Sequence, residues 1–225
     1  MMPALESQSP TRRHPKSLNW EKERYSTLLL GVGGQGVLTA AKVLGLAASQ
    51  EGLPVNVGQL HGMTQRGGSV ECPVLFGAGK SCFLTGPANL VVAFEAAEAL
   101  HATPHLGPQT SVVLNRGAII PFEITRSQGR YPEVEKIVAH LAHHSERVFA
   151  LNAFELVDAL GERRSLNLFM LGALAGLDLL PLESEAVWAA ALKLAPAHTH
   201  AANRAAFEGG VEWGRSQSCD TLRGS

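Results

Sequence analysis

The sequence predicts an α/β fold in which a mixed, mainly parallel sheet is flanked by helices and the C-terminal third is helical. One observation is the apolar run at residues 28–32, which ends in glycines and is followed by a helical pattern over residues 37–49. A second is the short strand pattern at residues 54–57, which completes a βαβ unit with parallel strands. A third is the succession of helical patterns after residue 153. The glycine turn between the first strand and helix makes the predicted fold Rossmann-like.

The middle of the chain supplies the other strands. Residues 69–76 alternate between apolar and polar side chains, and Gly77-Ala78-Gly79 is expected to turn the chain back into residues 81–84 as a hairpin. Residues 89–94 and 110–114 are continuous apolar runs, which are typical of strands buried on both faces. Residues 147–151 form a last short strand.

Apolar periodicity predicts the remaining helices. Residues 131–144 carry an apolar stripe behind Pro132, which suits a first helical position. Further helical patterns cover residues 154–160, 167–180, 183–194 and 200–213.

The chain is expected to form a single domain over residues 25–215. Residues 1–24 are polar and contain three prolines, so they are interpreted as a flexible N-terminal tail. Residues 216–225 lack periodicity and are interpreted as a loose C-terminal tail.

Composition excludes several classes of function. The 225 residues carry 19 Lys and Arg against 20 Asp and Glu, so no positive field favours nucleic acid or an anionic membrane surface. The three cysteines lie far apart, which argues against a disulfide framework and a zinc knuckle, and an iron–sulfur cluster needs more thiolates. The sequence also lacks the apolar run of a membrane span or signal peptide. We therefore expect a cytoplasmic protein.

The glycine turn is the first candidate site. It fits G-x-G-x-x-G, and N–H groups at the start of the helix could face a phosphate. The same glycines also permit a tight turn with no ligand. Residues 52–70 contain no acid for a ribose hydroxyl, which disfavours nicotinamide binding. A stand-alone nucleotide-binding module for NAD or ATP stays open as an alternative. The candidate residues are Gly31, Gly33, Gly34, Gln35 and Gly36.

A second glycine-rich loop, residues 61–70, carries His61, Gln65, Arg66 and Ser69 between two strands. Because it follows the second strand, it is expected at the carboxyl edge of the sheet, where open α/β sheets bind ligands. The planar guanidinium of Arg66 could clamp a carboxylate or a phosphate. Alternatively, Arg66 and Gln65 cap local backbone groups and His61 fills a polar corner.

Together the two motifs closely resemble the gamma-type domain of 2-oxoacid:ferredoxin oxidoreductases. The resemblance rests on the stretches GVGGQGVL at residues 31–38 and HGMTQRGGSV at residues 61–70, and the second is most similar to the indolepyruvate type. It extends over about residues 27–215 and departs from the family in the long N-terminal tail and around residues 116–118. Further agreement lies at Phe94-Glu95, Glu98-Ala99-Leu100, Asn115, Tyr131-Pro132, Asn167 and Leu171-Gly172-Ala173.

The resemblance implies that this chain is the small, cluster-free subunit of a hetero-complex. The larger subunit would bind thiamine diphosphate, Mg and iron–sulfur clusters, decarboxylate an aryl 2-oxoacid such as indolepyruvate, and form an acyl-CoA while ferredoxin is reduced. This chain would bind no cofactor alone. It would pack beside the active site and help to order substrate or the co-substrate coenzyme A, with no catalytic residue and no metal ligand assigned.

Two other groups of residues have simple structural interpretations. His140, His143 and His144 have a spacing that can chelate a metal, but near a helix C-terminus solvated histidines are expected. Glu95 and Glu98 follow a central strand and could act as bases, although solvated acids in a first helical turn are the simpler expectation.

Overall fold

The computed structural model describes residues 14–61, 68–79, 81–117, 131–161 and 163–221. Seven strands form one sheet in the order β2-β4-β1-β5-β6-β7, with β3 also paired to β4. The strands are β1 Arg24–Val32, β2 Val55–Val57, β3 Leu60–His61, β4 Ser69–Gly77, β5 Leu90–Ala93, β6 Ser111–Asn115 and β7 Arg147–Leu151.

The α-helices are α1 Val37–Gln50, α2 Val134–His144, α3 Ala153–Ala159, α4 Leu166–Gly176, α5 Ser184–Leu194 and α6 His200–Thr221. Short 3₁₀ helices cover Pro15–Ser17, Ala97–His105, Arg163–Ser165 and Ala197–Thr199. The helical C-terminal third is as predicted. Helix α2 begins two residues after Pro132, because Glu133 at its N-cap still has extended backbone angles. Helix α6 continues through residues 216–221, so this part of the predicted loose tail is helical.

The sheet is mixed and mainly parallel, as predicted. Strands β1, β5, β6 and β7 are parallel, with Leu29 beside Val92 and Val92 beside Val113. Strand β4 is antiparallel to β1, and its first residue, Ser69, lies opposite Val32. The beginning of β4 therefore meets the carboxyl ends of the parallel strands at one edge of the sheet.

The predicted hairpin between residues 69–76 and 81–84 is wrong. Strand β4 lies instead between β1 and β2 and is antiparallel to both. Strands β1 and β2 point in the same direction, as the βαβ prediction requires, but they are not neighbours. The physical reason is burial: Cys72, Val74 and Phe76 are fully buried, whereas Phe83 is 60% exposed. A central position covers these three side chains, which pairing with residues 81–84 could not do.

Both faces of the sheet are covered. Leu29 and Val92 belong to one core cluster together with apolar residues of α1, α4 and α5. Leu28 and Val91 belong to the other cluster, which includes Ile137 of α2. The alternation of side chains along each strand explains why the central strands read as continuous apolar runs.

The predicted flexible tail is ordered from His14 onward. Pro15 is buried, and Leu18 and Trp20 pack against the core. The Lys16 Nζ atom lies 3.3 Å from Asp178 Oδ1 and 3.0 Å from Glu183 Oε1. Local composition predicted disorder because it does not reveal these contacts, whose partner residues lie more than 160 positions away in sequence. Residues 1–13 lie outside the described residues.

Candidate functional site

The glycine turn connects β1 to α1 at the carboxyl edge of the sheet. Gly34 and Gly36 have φ values of +106° and +80°, a region that side chains other than glycine rarely adopt. Gly36 is the N-cap of α1, and a Cβ atom at this position would lie 2.9 Å from Cγ of Asn167. The turn therefore requires glycine for backbone conformation and for close packing against α4.

The side chain of Gln35 is used within the protein. It is 8% exposed, and its Oε1 accepts a hydrogen bond of 2.7 Å from the Val32 N–H. Its Nε2 donates to the Phe94 carbonyl over 2.9 Å. Gln35 thus ties the end of β1 to the residue that follows β5.

Asn115 extends this connection to the next strands. Its Nδ2 donates to the same Phe94 carbonyl over 2.9 Å. Its Oδ1 accepts from the N–H groups of Gly117 and Ala153 at 3.1 and 2.9 Å. The ends of β1, β5 and β6 and the start of α3 are therefore joined by two buried side-chain amides.

The two sequence motifs meet directly. The Gly33 N–H donates to the Gly68 carbonyl over 2.9 Å, and β3 pairs with β4 so that His61 lies opposite Val70. The N–H groups of Gly33 and Gln35 both donate to carbonyls of the chain, which leaves neither free for an anion. Gln65 and Arg66 lie outside the described residues, and of His61 only the backbone is described.

A groove of about 720 Å³ lies beside this junction, between the start of β4 and the 3₁₀ helix Ala97–His105. Its lining residues are Leu60, Ser69, Glu71, Leu100, His101, Thr103 and Pro104.

His101 is the centre of the polar part of the groove. Its Nδ1 lies 3.2 Å from Ser69 Oγ, 3.3 Å from Glu98 Oε2 and 3.9 Å from Glu71 Oε1. Because Ser69 and Glu98 approach the same ring nitrogen, the three residues do not form a serine–histidine–acid relay, which uses both nitrogens. The groove instead offers a polar wall beside apolar side chains.

Glu95 is buried, which corrects the prediction of a solvated acid. Only 1% of it is exposed, and its carboxylate accepts hydrogen bonds from the Tyr131 hydroxyl and from the Glu98 N–H, the latter at 3.0 Å. The Tyr131 oxygen in turn accepts from the Ala97 N–H at 3.0 Å. Burial and the neighbouring Glu95 carboxylate raise the pKa of Tyr131 well above its usual value. The sequence shows that Glu95 ends a strand but not that Tyr131 returns to it.

The described side chains of this chain offer no site for the inorganic cofactors that the resemblance places in the larger subunit. Across the described ranges, no group of three or more His, Cys, Asp or Glu side chains could hold a metal ion. His140 Nε2 lies 3.1 Å from Thr103 Oγ1 and its ring contacts that of His144. Three cysteines cannot supply four thiolates, and burial raises the pKa of Cys72 to about 11.

Comparison with known proteins identifies the family. The sequence profile of the pyruvate ferredoxin/flavodoxin oxidoreductase family matches residues 26–213. The chain belongs to this family. The matched range nearly coincides with the resemblance over residues 27–215, and both glycine motifs of this chain lie within it.

Two curated relatives match most of this chain. The chain is 36% identical over 187 residues to indolepyruvate oxidoreductase subunit IorB of Methanothermobacter thermautotrophicus, covering 83% of this chain and 95% of that protein. It is 37% identical over 165 residues to the subunit of the same name from Archaeoglobus fulgidus, covering 73% and 82%. The comparisons give no support to the alternative of a stand-alone nucleotide-binding module.

Solved structures confirm the fold. The gamma subunit of a keto/oxoacid ferredoxin oxidoreductase from Geobacter sulfurreducens matches with a TM-score of 0.66 at 21% identity, covering 86% of this chain and 98% of that chain. A 2-oxoglutarate:ferredoxin oxidoreductase from Magnetococcus marinus matches with a TM-score of 0.63 at 20% identity, covering 87% of this chain and 32% of that chain. The family fold thus occurs both as a separate subunit and as part of a longer chain.

Proposed function

We propose that this chain is the small subunit of an indolepyruvate-type 2-oxoacid:ferredoxin oxidoreductase. The observation that carries the proposal is identity of 34–37% to four proteins named indolepyruvate oxidoreductase subunit IorB, of which the alignments cover 82–96%. The complex oxidatively decarboxylates an aryl 2-oxoacid in the presence of coenzyme A. The products are carbon dioxide and an acyl-CoA, and ferredoxin accepts the electrons.

The larger subunit supplies the cofactors in this proposal. It binds thiamine diphosphate, Mg and iron–sulfur clusters, which carry the bond-breaking and electron-transfer chemistry. Support comes from the donor set of this chain, because neither a four-thiolate cluster nor a metal group can be assembled from its described residues. We expect the complex to act in the cytoplasm. Helices long and apolar enough to cross a membrane are absent from the described parts of the chain.

The residues of this chain position a binding edge in the proposed complex. Gln35 and Asn115 hold the carboxyl ends of three strands together, and the Gly33–Gly68 hydrogen bond fixes one end of the 61–70 loop against the glycine turn. A rigid edge of this kind presents a loop to a ligand or to a partner with little loss of conformational entropy.

We further propose that Arg66 in this loop pairs with a carboxylate or phosphate of the substrate or coenzyme A. In the intact complex, Arg66→Ala should lower kcat/KM by about 10- to 100-fold, since a hydrogen bond to a charged group contributes about 1.5–3 kcal/mol. Arg66→Lys keeps the charge but not the bidentate geometry and should recover only part of the loss. Unchanged turnover and Michaelis constants in Arg66→Ala would show that Arg66 does not touch a ligand.

The proposed function is tested by co-expression of this chain with its candidate large subunit. The assay measures coenzyme A-dependent reduction of ferredoxin or a viologen dye by indolepyruvate and by phenylpyruvate. The expected result is activity that requires both chains, which co-purify. If the chains fail to associate, or if the large chain is fully active alone, the proposal is wrong.

A further inference from the structure

A second groove, of about 480 Å³, lies between α5 and α6, away from the carboxyl edge of the sheet. Its floor is aromatic: the rings of Trp188 and Phe207 are 5.6 Å apart. Its rim is charged and carries Glu185, Arg204, Glu208, Glu212 and Arg215. An apolar floor of this size with a charged rim has the dimensions of a binding site for a peptide side chain or a small molecule.

The charges on the rim are not balanced. Arg204 lies over the Trp188 ring at 5.6 Å, and its Nε donates to Glu208 over 2.7 Å, so these two charges compensate each other. Glu185 and Glu212 have no ion-pair partner within the part of the chain that the structure describes. Two carboxylates therefore face one remaining guanidinium, that of Arg215, and the groove favours a cationic occupant.

The described chain begins at one end of this groove. Helices α4 and α6 run parallel to each other. A Cβ atom at Gly172 would meet the Phe207 carbonyl, and one at Gly176, a turn later, would meet the Val211 carbonyl. The connection after α4 therefore reaches the end of the groove where Val211 and Arg215 lie.

The N-terminal segment is fixed at that same corner. His14 Nε2 contacts Asp178 Oδ2, and Lys16 contacts both Asp178 and Glu183. Glu183 immediately precedes Ser184, which lines the groove. His14 and Lys16 are thus held next to the mouth of the groove by these contacts.

We propose that residues 1–13 of this chain fold back and occupy the α5–α6 groove. Thirteen residues can span about 43 Å when extended. The stretch of α6 between Arg204 and Arg215 is only about 16 Å long. Arg12 and Arg13, next to the fixed His14, would lie near Glu185 and Glu212, while the apolar side chains of Met1, Met2 and Leu5 reach the aromatic floor.

Because residues 1–13 are covalently attached beside the groove, weak contacts are sufficient for them to occupy it. A segment attached by a short linker is present at its site at an effective concentration in the mM range, so an intrinsic Kd of about 1 mM is enough for substantial occupancy. The segment lies outside the family match, which begins at residue 26. A covered α5–α6 groove is accordingly a property of this chain beyond the common family domain.

The experiment compares the full chain with a variant lacking residues 1–13 and with Arg12→Glu/Arg13→Glu, which keeps the segment but reverses its charge. Acrylamide quenching of tryptophan fluorescence reports on Trp188. We expect the quenching constant of Trp188 to rise at least 2-fold in both variants. The rise should disappear when Trp188→Phe is added, which separates Trp188 from Trp20 and Trp213.

A synthetic peptide of residues 1–13 provides the second measurement. It should bind the shortened chain with a Kd of about 1 mM, and the full chain at least about 2-fold more weakly, because the tethered segment competes at an effective concentration in the mM range. Glu212→Gln should weaken peptide binding to the shortened chain, whereas the control Glu146→Gln, an exposed acid far from the groove, should not.

Three results would overturn the proposal. The first is equal binding of the peptide to the full and shortened chains. The second is no change in Trp188 quenching when residues 1–13 are removed or reversed in charge. The third is protection of Trp188 that appears only on addition of the large subunit or at high chain concentration, which would assign the groove to a partner or to a second copy.

Discussion

Two buried amide side chains determine the shape of the carboxyl edge of the sheet. Gln35 and Asn115 both donate to the Phe94 carbonyl, and each also accepts from backbone N–H groups. An amide can do both because it has a donor and an acceptor at one end, whereas a carboxylate can only accept. Both polar atoms of the Gln35 side chain, within the glycine motif, are therefore hydrogen-bonded to backbone groups of the protein.

Gln35→Ala should lower the free energy of unfolding by about 1–3 kcal/mol, because it leaves the buried N–H of Val32 without its acceptor. Urea denaturation of the purified chain measures this loss. The matched control is Gln50→Ala at the exposed end of α1, which should change stability by less than about 0.5 kcal/mol. A Gln35→Ala chain of normal stability, but inactive in the complex, would reassign Gln35 to ligand binding.

Tyr131→Phe should also destabilise the fold, by about 1–3 kcal/mol near neutral pH, since the buried Glu95 carboxylate loses a donor. The raised pKa of Tyr131 gives this effect a pH dependence. Because the pKa of Tyr131 is higher in the folded chain, its stabilisation of the fold is complete below the pKa of about 10 in the unfolded chain. This stabilisation is lost as the pH rises through the pKa in the folded chain. The stability difference between wild type and Tyr131→Phe should therefore shrink in urea denaturation above about pH 10.

A constant difference up to pH 11 would contradict the raised pKa of Tyr131, because the hydroxyl would then titrate alike in the folded and unfolded chains. The surface control is Glu135→Gln, whose partner Arg116 is also exposed, and it should have little effect at any pH.

Sequence reasoning identified these residues but not their contacts. Gln35, Glu95, Asn115 and Tyr131 all stood out by resemblance, yet Glu95 was expected to be solvated. A carboxylate at the end of a strand is usually solvated, whereas Glu95 is buried and accepts a hydrogen bond from Tyr131, 36 positions away. Contacts over such separations depend on the assembled fold and leave no local pattern.

At the level of elements, strand and helix positions were predictable and strand pairing was not. The alternation in residues 69–76 correctly predicts a strand, although the structure buries both faces of β4 from Cys72 onward. The same alternation is compatible with any antiparallel neighbour, and the glycines after it favoured the local one. Burial of Cys72, Val74 and Phe76 favours the central position of this strand between β1 and β2.

The close packing of α4 on α6 depends on glycines in both helices. A Cβ atom at Gly172 would lie 2.0 Å from the Phe207 carbonyl oxygen, and one at Gly210 would lie 2.1 Å from the Phe169 carbonyl oxygen. Both contacts are to backbone, so relief requires the helices to move apart. Sequence periodicity predicts each helix but not the distance between them.

Gly172→Ala should therefore destabilise the chain by about 1–3 kcal/mol or more through overpacking. The control is Gly209→Ala in α6, where the nearest atom to the new Cβ is the flexible Leu160 side chain at 3.1 Å. That variant should be neutral or more stable by up to about 1 kcal/mol, because alanine favours the helix. Thermal and urea denaturation measure both, and similar losses in the two variants would contradict the packing argument.

At the scale of the whole molecule, the sequence did not predict the role of the segment that precedes the family match. The family match begins at residue 26, yet residues 14–24 pack on the domain and contact the connection between α4 and α5. Composition indicated disorder because the segment has too few apolar residues for a core of its own. Leu18 and Trp20 are enough when the rest of the core already exists.

Removal of residues 1–20 should accordingly lower the free energy of unfolding by about 2–4 kcal/mol, because it exposes the apolar surface under Leu18 and Trp20. Removal of residues 1–13 alone should cost less than about 1 kcal/mol, since a tethered segment of mM effective concentration contributes little. The surface ion pairs of Lys16 add little at moderate salt, so Lys16→Ala should resemble the shorter deletion. Urea denaturation of the three variants separates these contributions. Equal stability of the two deletions would mean that Leu18 and Trp20 rest on the domain without stabilising it.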